Sequence, residues 1–275
     1  MAALCLAAAP AAADDALLAR GEYLLHAGGC ITCHTDEDGG RPLAGGRAIE
    51  SPFGVFYSPN ITADRETGIG GWSDEDFLRA FWEGISPDGE HYFPSFPYTS
   101  YTGASRDDLL AIKAWLFSLE PVRQQNREHE LTPVIASRFA AGMWKSRYFK
   151  PGRYEPDPSR DEQWNRGAYL VRHLGHCGEC HTPRNNLGAL DHERELAGNP
   201  EFGEGKSVPD ITPDRDNGIG RWSASDIDYF LETGMLPDGD FTGGSMGAVI
   251  EDNTSHLTRE DRLAIAAYLR SLKAQ

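Results

Sequence analysis

The chain has 275 residues, of which 40% are hydrophobic and 25% are charged, a composition typical of a soluble globular protein of one or two domains. Its formal net charge of −16 argues against a nucleic-acid partner, because nucleic-acid binding needs a concentrated basic surface. After the N-terminus, no segment approaches the ~18 consecutive apolar residues of a membrane-spanning helix, so no transmembrane segment is predicted.

The N-terminal residues 1–13 form a short apolar run that ends in an Ala-x-Ala pattern at Ala11 to Ala13. This pattern is typical of a secretory signal peptide and predicts a periplasmic protein whose mature chain begins at Asp14. Cleavage there would remove Cys5 and leave four cysteines. An alanine-rich tail without a targeting role is the alternative interpretation.

The first half of the chain predicts three helices separated by Gly- and Pro-rich loops. The first covers 17–27, the second begins after the N-cap residue Ser73, and the third covers 106–119. The segment 121–162 is predicted to be a linker that contains one amphipathic helix over 135–149. No convincing alternating strand pattern is present, so an all-α architecture is expected.

The second half repeats the first, with helices predicted over 166–173, after Ser223, and over 259–272. The segment 60–73 recurs as 210–223, with the same Ile-Thr, Gly-Ile-Gly and Trp-Ser residues at an offset of 150. A fixed offset over so long a stretch indicates a tandem duplication. The predicted domains are therefore 14–120 and 163–275.

All four remaining cysteines fall into two Cys-x-x-Cys-His motifs, Cys30-Ile-Thr-Cys33-His34 and Cys177-Gly-Glu-Cys180-His181. This is the attachment pattern of c-type haem, in which two thiols one helical turn apart bond to one porphyrin. His34 and His181 are then the predicted proximal iron ligands. A zinc site, a thioredoxin-type motif and structural disulfides are less consistent with the spacing, the missing βαβ context and the paired histidines.

The chain resembles the cytochrome c subunits of membrane-bound alcohol, aldehyde and gluconate dehydrogenases and related di-haem cytochromes. The matching residues include Arg20-Gly-x-Tyr-Leu, both haem motifs, Asn60-Ile-Thr, Thr67-Gly-Ile-Gly-x-Trp72, Pro97-Tyr-Thr-Ser-Tyr101, Gly175-His-Cys, and Gly243-Gly-Ser-Met246. The resemblance implies a tandem pair of class I-type cytochrome c domains with two covalently bound haem c groups. Those subunits have three haem motifs, and this chain corresponds to their first two domains.

A class I-type cytochrome takes a Met thioether as its sixth iron ligand. The mature chain keeps Met143, Met235 and Met246. Met235 aligns with Ile85 of the first copy, which indicates a core position. Met246 lies in a Gly- and Ser-rich segment expected to be a loop, and it is predicted to coordinate the second haem.

The first haem lacks this ligand, because Phe96 occupies the position that aligns with Met246. Phe cannot coordinate iron. His91, five residues upstream, and Met143, in the segment between the copies, are possible replacements. A vacant or water-bound position is the third possibility.

These features predict an electron-transfer protein rather than an enzyme, since the sequence shows no G-x-S-x-G, H-E-x-x-H or phosphate-binding motif. We expect single electrons to arrive from a periplasmic dehydrogenase and to leave to a downstream cytochrome or terminal oxidase. The alternative is a haem enzyme or small-ligand sensor that uses an open first haem. A third possibility is a fixed subunit of a dehydrogenase complex.

Overall fold

The fold was analysed in a computed structural model, which describes residues 10–133, 135–200 and 207–274. Helices dominate these residues. In chain order they are α1 (Pro10–Ala27), α2 (Cys30–His34), α3 (Asp74–Glu83), α4 (Tyr98–Tyr101), α5 (Arg106–Ser118), α6 (Arg138–Tyr148), α7 (Glu162–Tyr169), α8 (Gly178–His181), α9 (Ala224–Thr233), α10 (Gly244–Asp252) and α11 (Arg259–Ser271). None of the helices in these ranges is long and apolar enough to cross a bilayer.

A small antiparallel sheet corrects the all-α expectation. Strand β1 (Ala48–Ser51) pairs with β2 (Gly54–Tyr57), and β3 (Glu130–Leu131) adds to the other edge of β2. These strands are too short to give an alternating pattern in the sequence. Because β3 lies within 121–162, the predicted linker also completes the sheet of the first copy.

The helix starts after Ser73 and Ser223 were predicted correctly, because they depend on local capping, whereas α1 and α7 begin seven and four residues ahead of their predicted starts. Ser73 accepts a hydrogen bond from the backbone N–H of Asp76, whose side chain accepts one from the Ser73 N–H in return. Ser223 and Asp226 form the same capping box at the start of α9. Such caps stabilise a helix by about 1 kcal/mol each.

Each copy is built on one close helix pair, α1 against α5 and α7 against α11. Glycine permits the contact: a Cβ added at Gly21 would lie 2.1 Å from the carbonyl oxygen of Ala111. At Gly167 the corresponding distance to the carbonyl oxygen of Ala264 is 1.9 Å. Only a residue without a side chain allows so close an approach, which explains the Arg-Gly-x-Tyr-Leu pattern in both copies.

The second copy holds one extra residue ahead of its cysteines. The offset between the copies is 146 residues at Tyr23 and Tyr169 but 147 at Cys30 and Cys177. The structure absorbs the insertion in a π-helical turn, Leu170–Leu174, that follows α7. A π turn takes up one more residue than an α-helical turn, and such turns are frequent at functional sites. The Cys-x-x-Cys-His motif therefore keeps its place despite the longer chain.

The predicted signal peptide, 1–13, lies mostly outside the described residues. Helix α1 begins at Pro10 and continues past Asp14, so it spans the predicted cleavage point. The predicted helix over 17–27 forms the remainder of α1 and ends at the expected residue, Ala27.

The two copies meet through a buried carboxylate at the start of α5. The Tyr169 hydroxyl of the second copy donates to Asp108 Oδ2 at 2.6 Å, and Arg20 of the first copy donates to Oδ1 at 2.6 Å. Burial alone would raise the pKa of Asp108, but these hydrogen bonds outweigh it and hold the pKa below its ordinary value. Asp108 is therefore ionised at neutral pH.

The repeat partners of these residues form the reciprocal contact. The Tyr23 hydroxyl of the first copy donates to Asp261 Oδ2 at 2.6 Å, and Arg166 binds the same carboxylate through two hydrogen bonds. Each copy thus supplies an Arg–Asp pair to the tyrosine of the other. The two segments therefore meet through a reciprocal pair of equivalent contacts.

Replacing Tyr169 by Phe should lower the free energy of unfolding by about 1.5–3 kcal/mol, the typical value for a hydrogen bond to a charged group. Tyr23→Phe should have a similar effect. The control is Tyr229→Phe, at a half-exposed tyrosine, which should change stability by less than about 0.5 kcal/mol. Guanidinium unfolding of the intact protein measures all three. Equal effects of Tyr169→Phe and Tyr229→Phe would contradict the importance of this contact.

Candidate haem sites

The cysteines of both motifs lie on short helices. In α2, Cys30 and Cys33 are one turn apart, and Gly29 precedes them with a φ of 69° that turns the chain out of α1. In the second copy, Cys177 is the N-cap of α8 and Cys180 lies within it. Residues three positions apart share a helix face, so each pair can bond to one flat ligand. All four thiols are free.

The chemistry of these thiols argues against the zinc and dithiol alternatives. Burial raises the pKa of Cys30 and of Cys180 to about 12, and that of Cys177 to about 11. Disulfide exchange requires a thiolate, which such sites disfavour. In addition, no three His, Cys, Asp or Glu side chains converge as metal ligands in the part of the chain that the structure describes.

Each motif histidine is oriented by a proline carbonyl. His34 Nδ1 lies 2.7 Å from the carbonyl oxygen of Pro59, and His181 Nδ1 lies 2.8 Å from that of Pro209. Burial lowers the pKa of both imidazoles, so each is neutral with its proton on Nδ1. Nε2 is then left with a lone pair, which is the donor that a haem iron needs from a proximal ligand. The residues present therefore fit haem c in both copies.

These carbonyls are positioned by a strained loop that occurs in both copies. Leu43 and Leu196 are almost fully buried and adopt φ values of 63° and 65°, which a branched side chain rarely does. Their N–H groups donate to the hydroxyls of Thr35 and Thr182, directly after each motif. Left-handed backbone at non-Gly residues costs of order 1–3 kcal/mol, and it is typically retained where a functional site depends on it.

Sequence analysis missed Pro59 and Pro209. The available signal was the repeat itself, because each proline directly precedes a recurring segment. The reason for that recurrence is now visible: Asn60 accepts a hydrogen bond from the Thr62 N–H, and Asp210 accepts the corresponding one at 2.6 Å. These bonds shape the turn that aims each carbonyl at its histidine.

Comparison with known proteins gives the same assignment. The chain is 44% identical over 260 residues to a protein of Cereibacter sphaeroides described as "Diheme cytochrome c-type", and the alignment covers 93% of this chain and 86% of that protein. The chain belongs to the diheme c-type cytochromes. It is therefore an electron-transfer cytochrome that carries covalently bound haem c. No protein-family model matches the chain.

More distant relatives are subunits of dehydrogenases. The cytochrome is 38% identical over 275 residues to the cytochrome c subunit of a gluconate 2-dehydrogenase of Pantoea cypripedii, and 38% identical over 269 residues to that of a quinone alcohol dehydrogenase of Gluconobacter oxydans. The alignments cover 96% and 95% of this chain but only 61% and 56% of those subunits. The chain thus spans little more than half the length of these dehydrogenase subunits.

Met246, the predicted sixth ligand of the second haem, lies in the first turn of α10. The expected loop is therefore a helix start, reached through Gly244, which has a φ of 56°. The Met246 side chain is half-buried. Met235 lies elsewhere, in a β-bridge with Phe241, and is half-buried rather than in the core position predicted for it.

Phe96 lies at the corresponding point of the first copy, just before α4, within a group of aromatic rings. Its ring centroid lies 5.1 Å from that of Phe81, 5.6 Å from that of Tyr92 and 5.8 Å from that of Tyr101. These edge-on and tilted contacts hold the ring in place. Phe93, three residues before it, packs in a separate cluster against the sheet.

The ring contacts of Phe96 described above include neither His91 nor Met143. Met143 is 54% exposed on α6. His91 packs beneath the same helix, so that a Cβ added at Gly142 would lie 2.6 Å from its ring. Its repeat partner Phe241 is 58% exposed, which shows that this position faces outward when no helix covers it.

Each attachment motif also contacts the other copy. Thr32, inside the first motif, donates to the side chain of Asn253 at 3.1 Å. Glu179, inside the second, accepts hydrogen bonds at 2.8 Å from Thr99 and Ser100. The contacted residues follow Met246 and Phe96 in the chain, with Asn253 directly after α10 and Thr99 and Ser100 within α4. The two haem attachment segments therefore lie against the copy interface, where a short path between haems is possible.

Proposed function

We propose that this cytochrome is a periplasmic protein that holds one haem c in each of two class I-type domains, 14–120 and 163–275. Cys30 and Cys33 attach the first haem and His34 coordinates its iron. Cys177 and Cys180 attach the second, which His181 and Met246 coordinate. The protein passes single electrons from a dehydrogenase to a downstream cytochrome or terminal oxidase, and it has no catalytic residues of its own.

The observation that carries this proposal is the matched pair of histidine–proline hydrogen bonds. A His directly after two cysteines can occur for other reasons. Two such histidines, both held by a carbonyl in the tautomer that frees Nε2, fit proximal ligation far better than surface or core packing.

The haem supplies reversible one-electron chemistry when bound. The chain's own residues hold it and adjust its potential. Pro59 and Pro209 fix the ring orientation of the histidines and increase their basicity. The Arg–Asp–Tyr contacts fix one copy relative to the other, and so preserve the geometry through which electrons would cross.

A dehydrogenase as electron donor is supported by the relatives, several of which are described as cytochrome subunits of gluconate, alcohol and fructose dehydrogenases. The alignment covers nearly all of this chain, so both haem segments are shared with them. Either a permanent subunit or a dissociable carrier would use the same sites.

A second function, binding of a small ligand at the first haem, is favoured by one observation. The position that aligns with Met246 is occupied by Phe96, and neither His91 nor Met143 lies against that ring. We therefore propose an open sixth position in the first domain.

The proposed function is tested on protein purified from the periplasmic fraction of cells that mature c-type cytochromes. Intact mass should show two covalent haems on a chain beginning at Asp14, and stepwise reduction should take up two electrons. The double variant Cys177→Ala/Cys180→Ala should retain one haem. A single haem in the unaltered protein, bound zinc, or recovery only from the cytoplasm would overturn the assignment.

A further inference from the structure

The segment 138–153 has an unusual charge for this chain. It contains Arg138, Lys145, Arg147, Lys150 and Arg153 and no acidic residue, whereas the whole chain carries a net charge of −16. A cluster of like charge in a protein of the opposite sign creates a local field that orients charged partners. The segment consists of α6 and the residues that follow it.

Three of these cations are used within the fold. Lys145 Nζ donates to the carbonyl oxygens at the end of α3, and burial lowers its pKa to about 8. Arg153 donates to Thr102 and stacks on Trp82. Arg138 lies over the Phe93 ring. These three cations therefore anchor α6 and the residues after it to the first copy.

Arg147 and Lys150 do not anchor α6 to the first copy, although Arg147 lies over the ring of its neighbour Tyr148, 5.2 Å from the centroid. Both side chains are exposed, and neither forms an ion pair with any residue that the structure describes. They line a cavity of about 430 Å³ between α6 and the second copy, and Arg172 and Arg184 line it as well. We refer to Arg147, Lys150, Arg172 and Arg184 as the basic groove.

The acidic side chains at the groove are already paired. Glu195, on its lining, lies 3.3 Å from Arg172, and Glu179 lies 2.6 Å from Arg184. Two cations therefore remain uncompensated. The groove also reaches Gly178, inside the second attachment motif, and Thr182, directly after it. A molecule bound in it would approach the second haem segment.

The outer face of α6 is apolar beside the groove. Phe139 and Met143 are 74% and 54% exposed, and nearby Leu187, whose carbonyl oxygen accepts a hydrogen bond from Trp144, is 58% exposed. Exposed apolar side chains next to charged ones are the composition of a protein docking surface, in which charge orients the encounter and apolar area stabilises it.

We propose that the basic groove docks an acidic, protruding surface segment of a redox partner protein beside the second attachment motif. The inference rests on the proposed electron-transfer function and adds the site and charge of the partner. Charge complementarity favours an acidic occupant, because the negative charge on the rest of the chain repels an acidic segment and would direct it to the basic groove. The concave shape of the groove suits a protruding protein segment better than a flat bilayer surface.

The test uses the haem-loaded protein and a fluorescently labelled deca-glutamate peptide at low ionic strength. Arg147→Gln/Lys150→Gln should weaken peptide binding by about three- to tenfold, the loss expected for two exposed charge contacts. The matched control, Arg65→Gln/Lys273→Gln, removes two exposed cations elsewhere and should leave binding within about twofold. Equal losses in both variants would show an effect of net charge alone and overturn the proposal.

Two further measurements separate the possible failures. In the first, phosphatidylglycerol vesicles are mixed with the unaltered protein and with the groove variant. If the vesicles bind only the unaltered protein while peptide binding is the same for both, the groove binds a membrane and not a protein partner. Visible spectra and haem content of the same samples report on the proposed function. If both haems are present and peptide binding does not depend on the groove, the docking site is wrong while the electron-transfer assignment stands.

Discussion

Replacing Met246 by Ala should abolish the Met-to-iron charge-transfer band of the second haem and lower its potential by on the order of 0.1 V. A thioether favours ferrous iron, and axial ligands as a class set haem potentials over a range of roughly 0.8 V. Since Met246 is half-buried in the first turn of α10, truncation should cost little folding energy and leave both haems attached. Redox titration with near-infrared spectroscopy provides the measurement.

Met235→Ala is the matched control, because Met235 lies in the same copy but pairs with Phe241 in a β-bridge. It should leave the band and the potential unchanged. If Met235→Ala removes the band and Met246→Ala does not, the ligand assignment is wrong. If neither does, the band arises from the third methionine of the mature chain, Met143, and the assignment of Met246 is wrong.

The predicted features that agree with the structure depend on short-range signals. The capping residues Ser73 and Ser223 begin helices where predicted, since a cap needs only its next three residues. The two Cys-x-x-Cys-His motifs could also be located from the sequence alone, and in the structure they lie on the short helices α2 and α8. Their relation to a haem follows from spacing within five residues and needs no tertiary information.

The features that the sequence did not reveal depend on contacts between distant segments. Strand β3 has two residues, and it forms only because the hairpin of β1 and β2 offers an edge. The proline carbonyls bond histidines 25 and 28 residues away. Tyr23 and Tyr169 occupy equivalent positions of the repeat, but the hydrogen bond of each to an aspartate of the other copy arises from docking of the copies.

The one-residue insertion before Cys177 shows a different limit. The changed offset could be counted in the sequence, but counting does not say where the extra residue is accommodated. A loop would have displaced the motif relative to α7. The π turn at Leu170–Leu174 instead keeps the helix continuous.

The two haems should differ, and the difference should originate at Phe96. We expect redox titration to resolve two steps, with the first haem at the lower potential, because it lacks the thioether that stabilises ferrous iron. Reduced protein should bind carbon monoxide at one haem only. The ring of Phe96, packed against Phe81, Tyr92 and Tyr101, provides an apolar surrounding that admits a small neutral ligand more readily than an ion.

Phe96→Met should reverse both properties of the first haem. The flexible Met side chain fits the space of the ring with little strain, so we expect a higher potential and loss of carbon monoxide binding. Phe96→Leu is the control, since it shortens the side chain without adding a ligand. If the unaltered protein binds no carbon monoxide, a replacement ligand is present. The variants His91→Ala and Met143→Ala would then identify this ligand. Only the variant that removes it would free the sixth position of the iron and restore carbon monoxide binding.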